Sequence, residues 1–146
     1  NPLALQISGL SLERLEREAE AEIAFRQAIA LNPIYMDALI SLGQLLSRQE
    51  RWDEAEAVLR QAIEIEPQQA VGWAGLGKVL LHQGQPEAAI TELVKAVKIC
   101  PNSPDWWQHL EDAFGAIAKP EKARMCRVYR LAYQSQHQEA VEAFLA

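Results

Sequence analysis

The chain is poor in the residues that carry chemistry and lacks the runs that cross membranes. It holds two cysteines and three histidines in 146 residues. Cys100 and Cys126 are far apart and share no CxxC or zinc-type spacing, so they read as small buried or half-buried thiols, which a reducing compartment suits. His82, His109 and His137 form no HxxxH or HExxH pair. The glycines build no phosphate-binding loop. No apolar run approaches the roughly 18 residues of a membrane span. Lysine and arginine number 14 against 20 acidic residues, a net charge of −6, which is short of the basic face that nucleic acid requires. No signal peptide is visible and the chain opens Asn1-Pro2 without methionine. It reads as a piece of a longer protein, with the cytoplasm as the expected compartment.

What the chain does have is a period. Pro33, Pro67 and Pro101 stand 34 residues apart, and so do Gly9, Gly43 and Gly77. Ala21, Ala55 and Ala89 follow in phase, as do Ala28, Ala62 and Ala96. A fixed interval of this size marks stacked copies of one supersecondary unit. Within each copy the apolar residues fall at i, i+3 and i+7, one face of a helix, as in Leu39, Leu42 and Leu46. Gly43 and Ala55 let two antiparallel helices approach closely. Pro67 and Pro101 lack an amide hydrogen and end the second helix of their units. Gly84 suits a tight turn between helices, and Trp52-Asp-Glu-Ala55 opens a helix with acids at its positive end.

The clearest unit reads Trp73-Ala-Gly-Leu76-Gly77-Lys-Val-Leu80, then Ala89, Leu93, Ala96 and Pro101. It resembles the tetratricopeptide repeat, W-x2-L-G-x2-Y followed by A-x3-F, A and P. The preceding units carry Leu39, Leu42, Gly43, Leu46, Ala55, Leu59, Ala62 and Pro67, and Leu5, Gly9, Leu12, Ala21, Phe25, Ala28 and Pro33, with Ser8 as a weak point. The resemblance implies an all-α fold: a right-handed superhelical solenoid of antiparallel helix pairs forming one domain. It has about four repeats, near 2–35, 36–69, 70–103 and 104–137, and a capping helix over about 138–146. Ala140, Val141, Phe144 and Leu145 suit that cap, or alternatively the start of a fifth repeat.

The fourth unit departs from the pattern. Trp107, Leu110 and Phe114 keep phase, with Trp106 facing further outward, but position 111 is glutamate instead of glycine. Strict counting sends Arg127 and Arg130 to buried sites, which is costly for unpaired charge. A two-residue insertion near Ala118–Lys122 avoids this. It moves Met125, Tyr129 and Ala132 to the places of Ala89, Leu93 and Ala96, and turns Lys119, Lys122, Arg127 and Arg130 onto an outer, solvated basic face.

Tetratricopeptide arrays bind peptides or helices along their first helices, and the resemblance carries that groove onto definite positions. The first unit supplies Leu3, Ile7, Leu10 and Arg14, with Gln6 and Glu13 beside them. The second supplies Asp37, Ile40, Gln44 and Arg48, with Ser41 and Ser47. The third supplies Val71, Lys78 and His82, with Ala74 and Gly75, and the fourth Asp105, His109 and Asp112, with Gln108. Leu3, Ile7, Leu10, Ile40 and Val71 form an apolar streak, and the charged residues follow it. The streak is either a partner site or a surface that packs on a preceding repeat or a second copy. The lysine–asparagine–arginine set with which co-chaperones of this family hold a carboxylate is missing: Gln6, Leu10, Ser41, Val71 and Gly75 stand there. A metal pair from His82 and His109 is not expected, nor is any cofactor. No nucleophile, base and orienter converge in the pattern. The expected function is a protein-interaction scaffold for a protein or peptide partner, without catalysis. The alternatives are a regulatory or substrate-docking segment of a multidomain enzyme such as a glycosyltransferase, and a self-assembly module joined through array ends.

Overall fold

The computed structural model describes residues 1–134, and the expected capping helix lies outside the described residues. Among the described residues there are eight helices and no strand. They are α1 (Pro2–Arg14), α2 (Glu18–Leu31), α3 (Met36–Arg48), α4 (Trp52–Ile65), α5 (Ala70–His82), α6 (Pro86–Ile99), α7 (Pro104–Ala116) and α8 (Pro120–Gln134). They fall into two compact units, Asn1–Pro67 with α1 to α4, and a second from Gln68 with α5 to α8. In each unit the helices pair in order, α1 with α2 and α3 with α4, then α5 with α6 and α7 with α8.

The period holds through the last pair. First helices start at residues 2, 36, 70 and 104, and second helices at 18, 52, 86 and 120. The insertion expected near Ala118–Lys122 is therefore absent. The turn inside each pair repeats in atomic detail. The amides of Arg17, Arg51, Gln85 and Lys119 each donate to the carbonyl five residues back, on Leu12, Leu46, Leu80 and Phe114, at 2.9 Å. This closure needs a left-handed residue just before the donor. Glu16 (φ 58°), Glu50 (φ 57°), Gly84 (φ 76°) and Ala118 (φ 55°) fill that place. Only Gly84 does so without a Cβ penalty. Replacing Glu50 by glycine should thus stabilise the chain by about 0.5–1 kcal/mol, read as a higher urea midpoint. An equal or lower midpoint would show that the turn is not strained.

The core of the first unit is Phe25 and Ala28 of α2, Leu39, Leu42, Leu45 and Leu46 of α3, and Leu59 and Ala62 of α4, all essentially inaccessible. Gly9 abuts Phe25, Gly43 abuts Leu59 and, in the second unit, Gly77 abuts Leu93, so a missing Cβ on the first helix receives a large side chain sixteen residues later. The fourth pair keeps this geometry with different chemistry. Glu111 occupies the glycine site and Arg127 the leucine site, and Arg127 Nε donates to Glu111 Oε1 at 2.7 Å. Arg130 Nη2 lies 3.3 Å from Oε2 of the same buried carboxylate. Arg130 is thus half-buried against α7, contrary to the outer face expected of it, while Arg127 reaches back to the carboxylate but stays exposed, as do Lys119 and Lys122; Lys122 Nζ sits 5.6 Å from the centre of the Phe114 ring. Met125 is exposed where the shifted register buried it, and Cys126 is buried instead. Burial, with the Glu111 charge adding to it, pushes the Cys126 thiol up to about 12. Trp107 is buried; its ring N–H donates to the Pro101 carbonyl at 2.7 Å, and its ring lies 5.3 Å from that of Tyr129. Trp106 is half-buried.

Candidate functional site: the first-helix faces

Spacings of four, three and four residues put Leu3, Ile7, Leu10 and Arg14 on one stripe of α1. All four are exposed, Leu3 and Ile7 by 52% and 53%. Beside the stripe lies an open depression of about 590 Å³, lined by apolar Ile7 and Leu10, by Ser11, and by the charged Glu13, Arg14, Glu16, Glu18 and Arg48. The rim is partly tied. The Arg48 guanidinium bonds the Glu13 carboxylate and approaches Glu18 at 3.8 Å, while Gln49 Nε2 donates to Glu18 at 3.1 Å. The Tyr35 hydroxyl reaches Gln6 at 3.3 Å. On α3, Asp37, Gln44 and Arg48 are exposed and Ile40 is half-buried. Ser41 and Ser47 are buried, Ser47 donating to the Gly43 carbonyl at 2.7 Å, so these two expected groove residues line nothing.

The register separates two kinds of exposure on α1. In α3, with α1 and α2 packed on it, Ala38, Leu42 and Leu45 are buried. Their α1 counterparts are Ala4, Ser8 and Ser11, exposed and polar at two of three places. The counterparts of Leu3 and Leu10 are Asp37 and Gln44, which stay exposed beside packed neighbours. Leu3 and Leu10 therefore hold positions that neighbour packing leaves open, and serines stand where a preceding helix pair would press. Ile7 is the exception, since its counterpart Ser41 is covered. Sequence reading passed over Ser11, Glu16 and Glu18. The signal for them was their place beside the α1–α2 turn.

In the second unit α5 and α7 touch and bring a polar set together. Val71, Lys78 and His109 are half-buried; His82, Asp105 and Asp112 are exposed. Ala74 is buried and so drops out. Gln108 Nε2 donates to Asp112 Oδ1 at 2.9 Å. Burial holds the His109 imidazole below its ordinary range and the Lys78 charge adds to this, while Asp112 and Asp105 offset part of it. His109 Nδ1 is closed off from solvent with no hydrogen-bond partner. Among the described residues no three His, Cys, Asp or Glu side chains are placed to hold a metal ion, and no helix is long and apolar enough to cross a membrane.

Known proteins share this architecture. Solved structures similar to the chain include MamA, 19% identical with a TM-score of 0.86 over 95% of this chain and 81% of that one. A MamA fragment from Desulfovibrio magneticus RS-1 is 22% identical, with a TM-score of 0.85 over 94% of this chain and 78% of that one. At these identities the likeness establishes the fold alone. A mutant O-GlcNAc transferase of Thermobaculum terrenum is 27% identical, with a TM-score of 0.73 over 77% of this chain, which spans only 22% of the transferase. No curated protein matches the chain significantly in sequence. Residues 9–99, more than half of the chain, match the family described as the middle TPR-like domain of cilia and flagella-associated protein 70. With its 34-residue helix pairs, its left-handed turns and its glycine–leucine notches, the chain belongs to this tetratricopeptide-repeat-like family.

Proposed function

We propose that the chain is a protein-interaction scaffold that takes a helix or extended peptide of a partner protein on its first-helix faces, with α1 as the apolar seat. One observation carries this reading: Leu3 and Leu10 are leucines at positions where α3 has Asp37 and Gln44 and where packed neighbours do not reach. Solvent alone gives no reason for an apolar stripe there, and an amphipathic segment laid along it would remove the stripe from water. Nothing in the arrangement requires bond making; selective binding is the mechanism. In the second unit, taken by itself, Val71 is the apolar residue of the first-helix face and Lys78, His82, Asp105, His109 and Asp112 are its polar part.

The test is affinity capture with the 146-residue chain beside an Ile7→Asp/Leu10→Asp variant. Both residues are exposed, so the variant should melt within about 2 °C of the parent, as surface substitutions do. A partner held by the parent and lost, at least about tenfold, by the variant is the expected result. Equal capture by both would remove α1 from the site.

A second reading has its own support in the 27% identity to an O-GlcNAc transferase, of which this chain spans about a fifth. On that reading the array is the substrate-docking segment of a larger transferase. The gene flanking this segment decides it, since a catalytic domain must be encoded next to the array.

A further inference from the structure

The exposed stripe of α1 has a counterpart on α8. Leu3, Ile7, Leu10 and Arg14 follow one another at intervals of four, three and four. On α8, Glu121, Met125 and Val128 follow at four and three, all exposed, and exposed Leu131 continues the row. Met125 stands where α6 has Thr91, which stays exposed although α7 packs on α6. Neighbour packing therefore leaves the Met125 position open, as it leaves those of Leu3 and Leu10. Stripes at this spacing are the seams along which two helices lie side by side.

We infer that the helix seated on α1 is α8 of a second copy of this chain, running antiparallel to it. The inference rests on the scaffold reading of α1 and names its occupant. The order of residues sets the direction. α1 and its following turn run from apolar to charged: Leu3, Ile7, Leu10, then Arg14 and Glu16. α8 and its preceding turn run from charged to apolar: Lys119 and Glu121, then Met125, Val128 and Leu131. Laid antiparallel, Ile7 meets Val128, Leu10 meets Met125, and Leu3 reaches Leu131. In the same register Arg14 meets Glu121 and Glu16 meets Lys119. These four charged side chains are exposed and take part in no ion pair among the described residues. A parallel arrangement sets Leu3 against Glu121 and Arg14 beside Leu131, and loses both charge pairs. The wider charge distribution agrees. Residues 1–67 hold twelve of the chain's 20 acidic residues and six of its 14 basic ones, so that unit carries the whole net charge of −6. α8 has four basic residues and one acidic, and opposite fields of this kind steer encounter. The two faces differ, so the contact is heterologous. A single helix pair buries little surface, so the association is weak and concentration-dependent.

The experiment is sedimentation equilibrium of the 146-residue chain, at concentrations up to about 1 mM. The expected result is a mass that rises with concentration. Ile7→Asp/Leu10→Asp and Met125→Asp/Val128→Asp should each raise the dissociation constant at least about tenfold. Mixed in equal amounts, the two variants should form a complex of one copy of each, because one supplies an intact α8 and the other an intact α1. Glu121→Arg alone should weaken association about fivefold, and Arg14→Glu added to it should bring it back to within about threefold of the parent. All these positions are exposed, and melting curves establish that each variant is folded. The inference is overturned if the parent stays monomeric throughout, if the mixed variants stay apart, or if the charge exchange restores nothing. A monomeric parent that still loses a captured partner through Ile7→Asp/Leu10→Asp would overturn this inference alone and leave the scaffold reading standing with another occupant.

Discussion

Gly77→Leu should destabilise the chain by about 2–4 kcal/mol, overpacking plus helix displacement. A Cβ placed on Gly77 lies 2.5 Å from Leu93 Cγ and 3.2 Å from the Ala89 carbonyl oxygen. The leucine end can swing aside, but the carbonyl belongs to the α6 backbone and moves only if the helix moves. Gly43 offers the comparison, because the three atoms nearest a Cβ there are all side-chain atoms of Leu59, the first two at 2.8 Å. Gly43→Leu should therefore cost less than Gly77→Leu. Gly115, with nothing within 4 Å, should accept alanine with a gain of up to about 1 kcal/mol from helix propensity. Urea denaturation of the three variants checks the order. A Gly77→Leu midpoint equal to that of the parent would mean that α5 and α6 are not in close contact at this point.

The same contacts explain how much of the fold was legible beforehand. Period, glycines and prolines set the register because each is a backbone requirement: no Cβ beside Leu93, no amide hydrogen at Pro101 past the Cys100 cap. The turns were legible only at Gly84. Nothing in Glu16, Glu50 or Ala118 announces positive φ, since these residue types are among those that resist it. The left-handed conformation there is imposed by the helices on either side, and it became visible only as a backbone angle.

The binding face divides in the same way. The exposure of Leu3, Leu10, Asp37 and Gln44 follows from their place on the stripe and was readable. The burial of Ser41, Ser47 and Ala74 was not, because these positions sit on the shoulder of a helix, where the neighbouring pair decides coverage. Glu13 was placed on the face, but its pairing with Arg48 joins residues 35 apart, close to one repeat, and depends on side-chain reach. The orphaned Nδ1 of His109 is likewise a property of packing, invisible in a list of residue types.

The fourth unit shows the one misreading with a thermodynamic consequence. Arginine at position 127 reads in the sequence as an unpaired charge, yet its partner is the other departure from the pattern, Glu111, sixteen residues earlier, as Gly77 is from Leu93. Arg127→Leu should therefore be costly for a residue whose side chain is 61% exposed: about 2–4 kcal/mol, because the buried Glu111 carboxylate keeps only Arg130 at 3.3 Å. Glu111→Gly added to Arg127→Leu restores the glycine–leucine notch of the second and third pairs. The leucine then enters the notch, no carboxylate is left behind, and the double variant should return to within about 1 kcal/mol of the parent or exceed it, since buried ion pairs are often matched by apolar replacements. A double-mutant cycle by urea denaturation measures the coupling, expected at about 2 kcal/mol or more. Additive effects would mean that Glu111 is satisfied without Arg127. A neutral Arg127→Leu would mean that Arg130 alone satisfies the buried carboxylate.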